Sequence, residues 1–206
     1  MALKEMFNRD LIRKEHWIFG TVAVFATVGL IASLILSVEK LHLLENPNAV
    51  LPCTVNVFLN CATVMNTPEA SLLGFPNSFI GMMAYSVLLT VAIAYLFGAK
   101  LPKNFMALAQ LGVTVEIIFA YWLFLDSVFV IQVLCPFCLM VTFSSTMIFA
   151  AITRYNILEK NLYFSPKTQG LLEKWVEKDY DKLAIAGWVV AMVALVLVRF
   201  PGIFSS

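Results

Sequence analysis

The sequence predicts an all-α integral membrane protein with five transmembrane helices, and three observations carry that prediction. Apolar runs near the length needed to cross a bilayer, about 20 residues, recur along the 206-residue chain. Only 13% of residues are charged and 61% are hydrophobic, where a soluble domain carries roughly a quarter charged residues. The runs do not alternate polar with apolar, so helices rather than barrel strands must satisfy the backbone in lipid.

Taken in order, residues before His16 read as a short polar arm. The first span is Trp17–Val38, too long for a signal-peptide core and without a small-residue cleavage site, so it stays in the mature protein. A segment over 39–76 follows, then spans at 77–98, 105–125 and 128–152. A link over 153–182 leads to the fifth span, 183–200, and the whole of 1–206 reads as one membrane domain. There is no internal repeat and no low-complexity tract.

The 39–76 segment runs through Asn46-Pro47-Asn48 and Leu51-Pro52-Cys53 to an apolar stretch, Val55 to Leu59. Thr67 and Pro68 look like a helix cap and first position. A loop this apolar is expected to fold back as a lid over the end of the bundle. In the link, Leu171, Leu172, Trp175, Val176 and Tyr180 recur at helical spacing opposite charged residues. That pattern reads as a plain amphipathic connector lying on the membrane interface.

Charge placement predicts orientation. The net charge of +1 gives no reason to expect nucleic acid. Of 14 Lys and Arg, only Lys40 and Arg199 fall outside three clusters. The first cluster is Lys4, Arg9, Arg13 and Lys14; the second is Lys100 and Lys103; the third spans Arg154 to Lys182. By the positive-inside rule the N-terminus is cytoplasmic, and the 39–76 segment and the C-terminus face out. Cys53 and Cys61 then lie outside. Cys135 lies about seven residues into span four, roughly 10 Å below the outer surface. Both cysteine pairs are expected on the oxidising side.

The four cysteines are the chemical inventory. Cys135-Pro136-Phe137-Cys138 puts two sulfurs one helical turn apart, close enough to bond if the first sits at a helix start. Pro136 suits the first turn, and a helix N-terminus favours a thiolate. Two buried apolar cysteines would be the bland alternative. The proline between them and the second pair on the same side favour redox work. Cys53 and Cys61 alone read more readily as a static staple. Their nearness to the other pair reverses that, because a static pair gives the active pair no route to an external thiol. A zinc site would need two tight pairs, and one of these is too widely spaced. Thiol–disulfide chemistry coupled to a membrane redox carrier is the resulting expectation. Glu116 falls mid-span, where a carboxylate is expensive. It reads as a neutral acid bonded to a neighbouring helix, with proton donation as the alternative. Asn77, opening span two after Phe75-Pro76, reads from position alone as a helix cap.

These residues resemble the vitamin K epoxide reductase family, bacterial members without a fused thioredoxin domain most closely. The resemblance runs from span one through span four. It is carried by Cys53 and Cys61, by Cys-Ala-Thr-Val-Met at 61–65, by Asn77-Ser78-Phe79-Ile80-Gly81, and by Leu134-Cys135-Pro136-Phe137-Cys138. It implies a four-helix bundle around a quinone of menaquinone, ubiquinone or vitamin K type, with the outer loop as lid and no metal. It implies that Cys53 takes electrons from a separate DsbA- or thioredoxin-like protein. Cys61 then relays them to Cys135, and Cys138 lies nearest the quinone. It places Asn77 on a quinone carbonyl and Met65 and Thr142 among the quinone contacts. Members that use vitamin K epoxide carry tyrosine where this chain has Thr142, so plain quinone reduction is the favoured expectation. The expected protein is a thiol:quinone oxidoreductase of the bacterial cytoplasmic membrane that supports disulfide formation outside the cytoplasm. Its rivals are an epoxide reductase and a non-catalytic scaffold with a static loop disulfide.

Overall fold

A computed structural model describes residues 2–47, 49 and 51–202, with side chains from Glu15 onward. The basic residues Lys4, Arg9, Arg13 and Lys14, and Asn48 of the loop, lie outside the described side chains. Among the described residues, five helices are long and apolar enough to cross a membrane. The first, α1, is Ala2–Glu45. A short α2 at Cys61–Met65 and a 3-10 turn at Pro68–Ser71 occupy the loop. Then come α3 at Asn77–Leu96, α4 at Lys103–Asp126, α5 at Pro136–Leu158, α6 at Pro166–Glu177 and α7 at Tyr180–Arg199.

Four of the long helices form the bundle: α1 packs against both α3 and α5, and α4 packs against α5. Their shared core runs through Phe19, Val22, Ala26, Tyr85, Met106 and Ile148. Close approach of α1 and α3 depends on two glycines. A Cβ at Gly29 would come within 2.6 Å of the Tyr85 ring, and one at Gly81 within 2.6 Å of Ser33 Oγ. Small residues at such contacts let backbones approach, which is how helices gain packing energy in lipid. Nearby, Ser37 Oγ donates within α1 to the Ser33 carbonyl at 2.8 Å and meets Ser78 Oγ of α3 at 2.9 Å. Helix α7 stands to one side, joined to the bundle where Trp188 Nε1 donates to Tyr121 OH at 2.7 Å.

Several expected boundaries move. The arm before His16 is helical and continuous with span one, which extends to Glu45 rather than ending at Val38. The larger shift is at span four. Residues from Val128 continue the preceding helix through a π-helical turn, Ser127–Ile131. The helix then stops at Gln132, whose φ of 58° is left-handed. Ser127 Oγ donates to the Val133 carbonyl at 2.6 Å and ties the turn. Span four therefore starts at Pro136, and Cys135 is its N-cap rather than a residue seven positions inside it. The fifth span begins at Tyr180, three residues before the expected Leu183.

The loop folds over one end of the bundle, as its apolar composition predicts. Leu51, Cys53, Cys61 and Met65 pack with Leu36 and Leu43 of α1 and with Cys135. Val55, Val57 and Leu73 remain exposed.

Candidate functional site

The site starts from two short pieces of irregular backbone. Asn60 N–H donates to the Leu134 carbonyl at 2.9 Å, and Leu134 N–H donates to the Phe58 carbonyl at 2.8 Å. These bonds make a parallel bridge between Leu59 and Leu134. The register carries over to the next residues: Cys61 follows Asn60, Cys135 follows Leu134, and so the two cysteines come side by side. The segment before Cys61 is fixed by its own side chains. Asn56 Oδ1 accepts from Phe58 N–H at 2.9 Å and Leu59 N–H at 2.8 Å. Asn60 caps α2 by accepting from Thr63 N–H at 3.1 Å.

Cys53 and Cys61 are joined in a disulfide, with their Cα atoms 5.7 Å apart. Cys135 and Cys138 are free thiols. The Cys135 thiol donates to Cys61 Sγ at 3.2 Å, and Cys138 N–H donates to Cys135 Sγ at 3.4 Å. The second contact is the cap bond of α5, so the positive end of that 23-residue helix points at the Cys135 sulfur. All four sulfurs thus lie at one end of the bundle. Cys61 and Cys135 are nearly sealed from solvent, while Cys53 is 5% exposed.

Beneath them opens a cavity of about 500 Å³, within the range of small-molecule sites. Cys135 and Cys138 line it, as do Met65, Asn77 and Thr142, so the predicted quinone contacts share one space with the inner cysteine pair. Two of these residues are already engaged. Asn77 does not cap α3, whose N-cap is Pro76. Instead its Nδ2 donates to the Glu69 carbonyl at 2.6 Å, and its Oδ1 accepts from Leu72 N–H at 3.3 Å. It fastens the 3-10 turn of the lid to α3, and its amide keeps a second N–H. Thr142 Oγ1 donates to the Cys138 carbonyl at 3.0 Å, inside α5. Thr67 is the N-cap of the 3-10 turn with Pro68 following it, as expected, but its hydroxyl makes no cap bond and donates back to the Val64 carbonyl at 3.0 Å.

A family model described as the Vitamin K epoxide reductase family matches residues 21–153, well over half of the chain. The chain belongs to the vitamin K epoxide reductase family. No curated protein matches it. The matched stretch holds all four cysteines, α3, α4 and most of α5, and it ends before α6 and α7. Family membership makes this protein a membrane oxidoreductase of disulfide formation, in a family that uses quinones and generally works with thioredoxin-like partners. Among the described residues no group of His, Cys, Asp or Glu is arranged to hold a metal ion.

Sequence reasoning missed several residues of this vitamin K epoxide reductase family site. Lys40, at the end of α1, donates to the Met65 carbonyl at 2.7 Å and so ties α1 to the lid. Its only signal was a lone cation beside an apolar loop. Tyr85 and Ser145 both line the cavity, and their hydroxyls lie 2.7 Å apart. Ser145 Oγ also donates to Glu116 Oε1 at 2.7 Å, so Glu116 is bonded to a neighbouring helix as expected. Glu116 lines the cavity too.

Proposed function

We propose that this protein is a thiol:quinone oxidoreductase that reoxidises a DsbA- or thioredoxin-like partner and passes the electrons to a membrane quinone. The observation that carries this reading is the unbroken sulfur path: a bonded outer pair, 3.2 Å from its Cys61 sulfur to Cys135, and Cys138 on an apolar cavity.

The steps balance as follows. A thiolate of the reduced partner attacks Cys53, the more exposed sulfur of the outer disulfide, and frees Cys61 as a thiolate. The partner's second thiol then attacks the mixed disulfide; the partner leaves oxidised, and Cys53 and Cys61 are both reduced. Cys61 attacks Cys135 of an oxidised Cys135–Cys138 pair, releasing Cys138. Cys53 attacks Cys61, which restores the outer disulfide and leaves the inner pair as two thiols. The helix N-terminus at Cys135 favours negative charge on that sulfur during the exchange. The inner pair then gives two electrons and two protons to the quinone, forming a quinol and a new Cys135–Cys138 disulfide. Asn77 is positioned to hold a quinone carbonyl with its remaining N–H, and Met65 and Thr142 wall the same space.

The basic clusters at the N-terminus and in the α6 region support an orientation with the cysteines on the extracytoplasmic side of a bacterial cytoplasmic membrane. A disulfide made there persists. A menaquinone, a ubiquinone or a vitamin K type quinone meets the chemical requirement, and no metal is needed.

The test is a Cys61→Ser variant, which should trap the partner on Cys53 as a mixed disulfide that mass spectrometry can name. A companion Cys53→Ala variant should lose turnover with the protein partner yet keep turnover with a small dithiol. Equal loss with both donors would contradict the relay. Turnover of an epoxide but of no quinone would replace this reading with the epoxide one.

A further inference from the structure

The cavity that holds the inner cysteine pair also reaches a polar group contributed by three helices. Glu116 on α4, Ser145 on α5 and Tyr85 on α3 meet there. Three features set this group apart from ordinary interhelical bonding. Tyr85 is completely buried, and its ring is wedged against Gly29, where no side chain would fit. That wedge holds the phenol hydroxyl at Ser145 Oγ, 2.7 Å away, with the Val141 carbonyl at 3.2 Å. When Ser145 O–H donates to Glu116 Oε1 at 2.7 Å rather than to the Val141 carbonyl at 3.0 Å, the Tyr85 hydroxyl can donate to Ser145 Oγ, and Oε2 is left to hold the proton of the neutral acid. No ion pair involves Glu116 among the described residues, so no cation is spent on it.

The spacing suits a ring. Ser145 lies seven residues beyond Cys138 on α5, about 10 Å along the helix axis. A six-membered ring with oxygens at opposite positions, reached at each end by a hydrogen bond of about 2.8 Å, fills that interval.

We infer that Glu116 is the proton donor to the quinone oxygen remote from Cys138, with Ser145 and Tyr85 positioning its carboxyl. This rests on the quinone reading above and adds a residue to it. In the step, the Cys135 and Cys138 sulfurs give up two electrons as their bond forms. The near oxygen takes the Cys138 thiol proton. The far oxygen takes the Glu116 proton, and the quinol leaves neutral. The carboxylate left on Glu116 regains the proton shed by the Cys135 thiol, carried through water in the cavity. Two thiols and a quinone thus become a disulfide and a quinol, with no other reagent.

The experiment is single-turnover and steady-state reduction of a short-chain quinone by the purified, dithiol-reduced protein, comparing wild type with Glu116→Gln. The substitution keeps the shape and removes the transferable proton. The expected result is a fall in kcat of about 100-fold, the scale of general acid catalysis, at unchanged KM. Exchange from the outer to the inner cysteine pair should keep the wild-type rate, and the solvent deuterium effect on quinone reduction should grow. Unchanged kcat would overturn the inference, and so would a parallel loss of kcat, thermal stability and cysteine exchange, which marks a merely structural role. Should Glu116→Gln not fold, Tyr85→Phe decides, because it keeps the ring against Gly29. A kcat lowered several-fold at unchanged KM supports the relay, and an unchanged kcat overturns it. If the wild-type protein exchanges thiols but reduces no quinone, the quinone reading itself fails, and the control shows this before any variant is compared.

Discussion

Away from the cysteines, the bundle is closed by side-chain amides and ion pairs on regular helices; at the cysteine end, besides the side-chain ties of Lys40 and Asn77 to the lid, it is closed by backbone bonds between irregular segments and by sulfur. At the first end, Asn156 is fully buried and donates to the Met106 carbonyl at 3.1 Å and to Gln110 Oε1 at 3.0 Å. Asn161 donates to Asn156 Oδ1 at 3.0 Å. Arg154 clasps Asp181 at 2.6 Å and Asp179 at 2.8 Å, which docks the start of α7. At the second end the comparable ties are the Leu59–Leu134 bridge and the Cys61–Cys135 contact. The difference separates two tasks. The amide end uses bonds that gain by never changing. The cysteine end uses contacts that can be exchanged one for another without moving a helix.

The sharpest way to break this contrast is to remove one sulfur. Cys138→Ser should abolish turnover while leaving thermal stability close to wild type, because the loss falls on chemistry rather than packing. Turnover and melting measured on one preparation check it, and a large drop in stability would count against the separation. The mirror experiment is Asn156→Ala, which strands Gln110 and the buried Asn161. It should cost about 1–3 kcal/mol of stability and leave turnover per folded molecule unchanged. Asn60→Ala lies between the two. Loss of the α2 cap should cost about 1 kcal/mol and slow exchange between the cysteine pairs several-fold, as read by rapid quench with thiol alkylation.

The smallest effect is one of pH. Lys182 and Arg154 hold the Asp179 carboxyl below the usual aspartate range. A carboxylate whose folded value is lowered contributes stability above its unfolded value, about 3.9, and loses it as pH falls through the lowered value. Protection from hydrogen exchange between α6 and α7, relative to the intrinsic rate at each pH, should therefore fall only below about pH 4, while protection around Cys61 stays constant over the same interval.

Much of this was legible in the residues, for physical reasons that stop at identifiable places. Five apolar runs of spanning length declare five helices, and cysteine spacing declares the chemistry. The start of span four was not legible from composition, because Val128 to Leu134 is apolar on both sides of the break and only Gln132 marks it. The span-length reading put Cys135 inside a helix it in fact caps, whereas Pro136 marks the true helix start. The Leu59–Leu134 bridge has no sequence signature, since two residues paired across some seventy positions show no period. Asn77 carried a cap signature, and its amide went to the lid instead. Tyr85 looked like one aromatic among many; only the Gly29 contact singles it out.

Phe200, just past α7, is buried with Phe124, Val128 and Leu134, its ring 5.9 Å from that of Phe58. The last helix therefore delivers the chain to the redox face, a few residues from the strand-like zip. A thiol protein joined after Phe200 by a flexible tether would meet Cys53 as a neighbour within one molecule, at millimolar effective concentration for a short linker. Electron entry would then no longer depend on how much free donor the compartment holds.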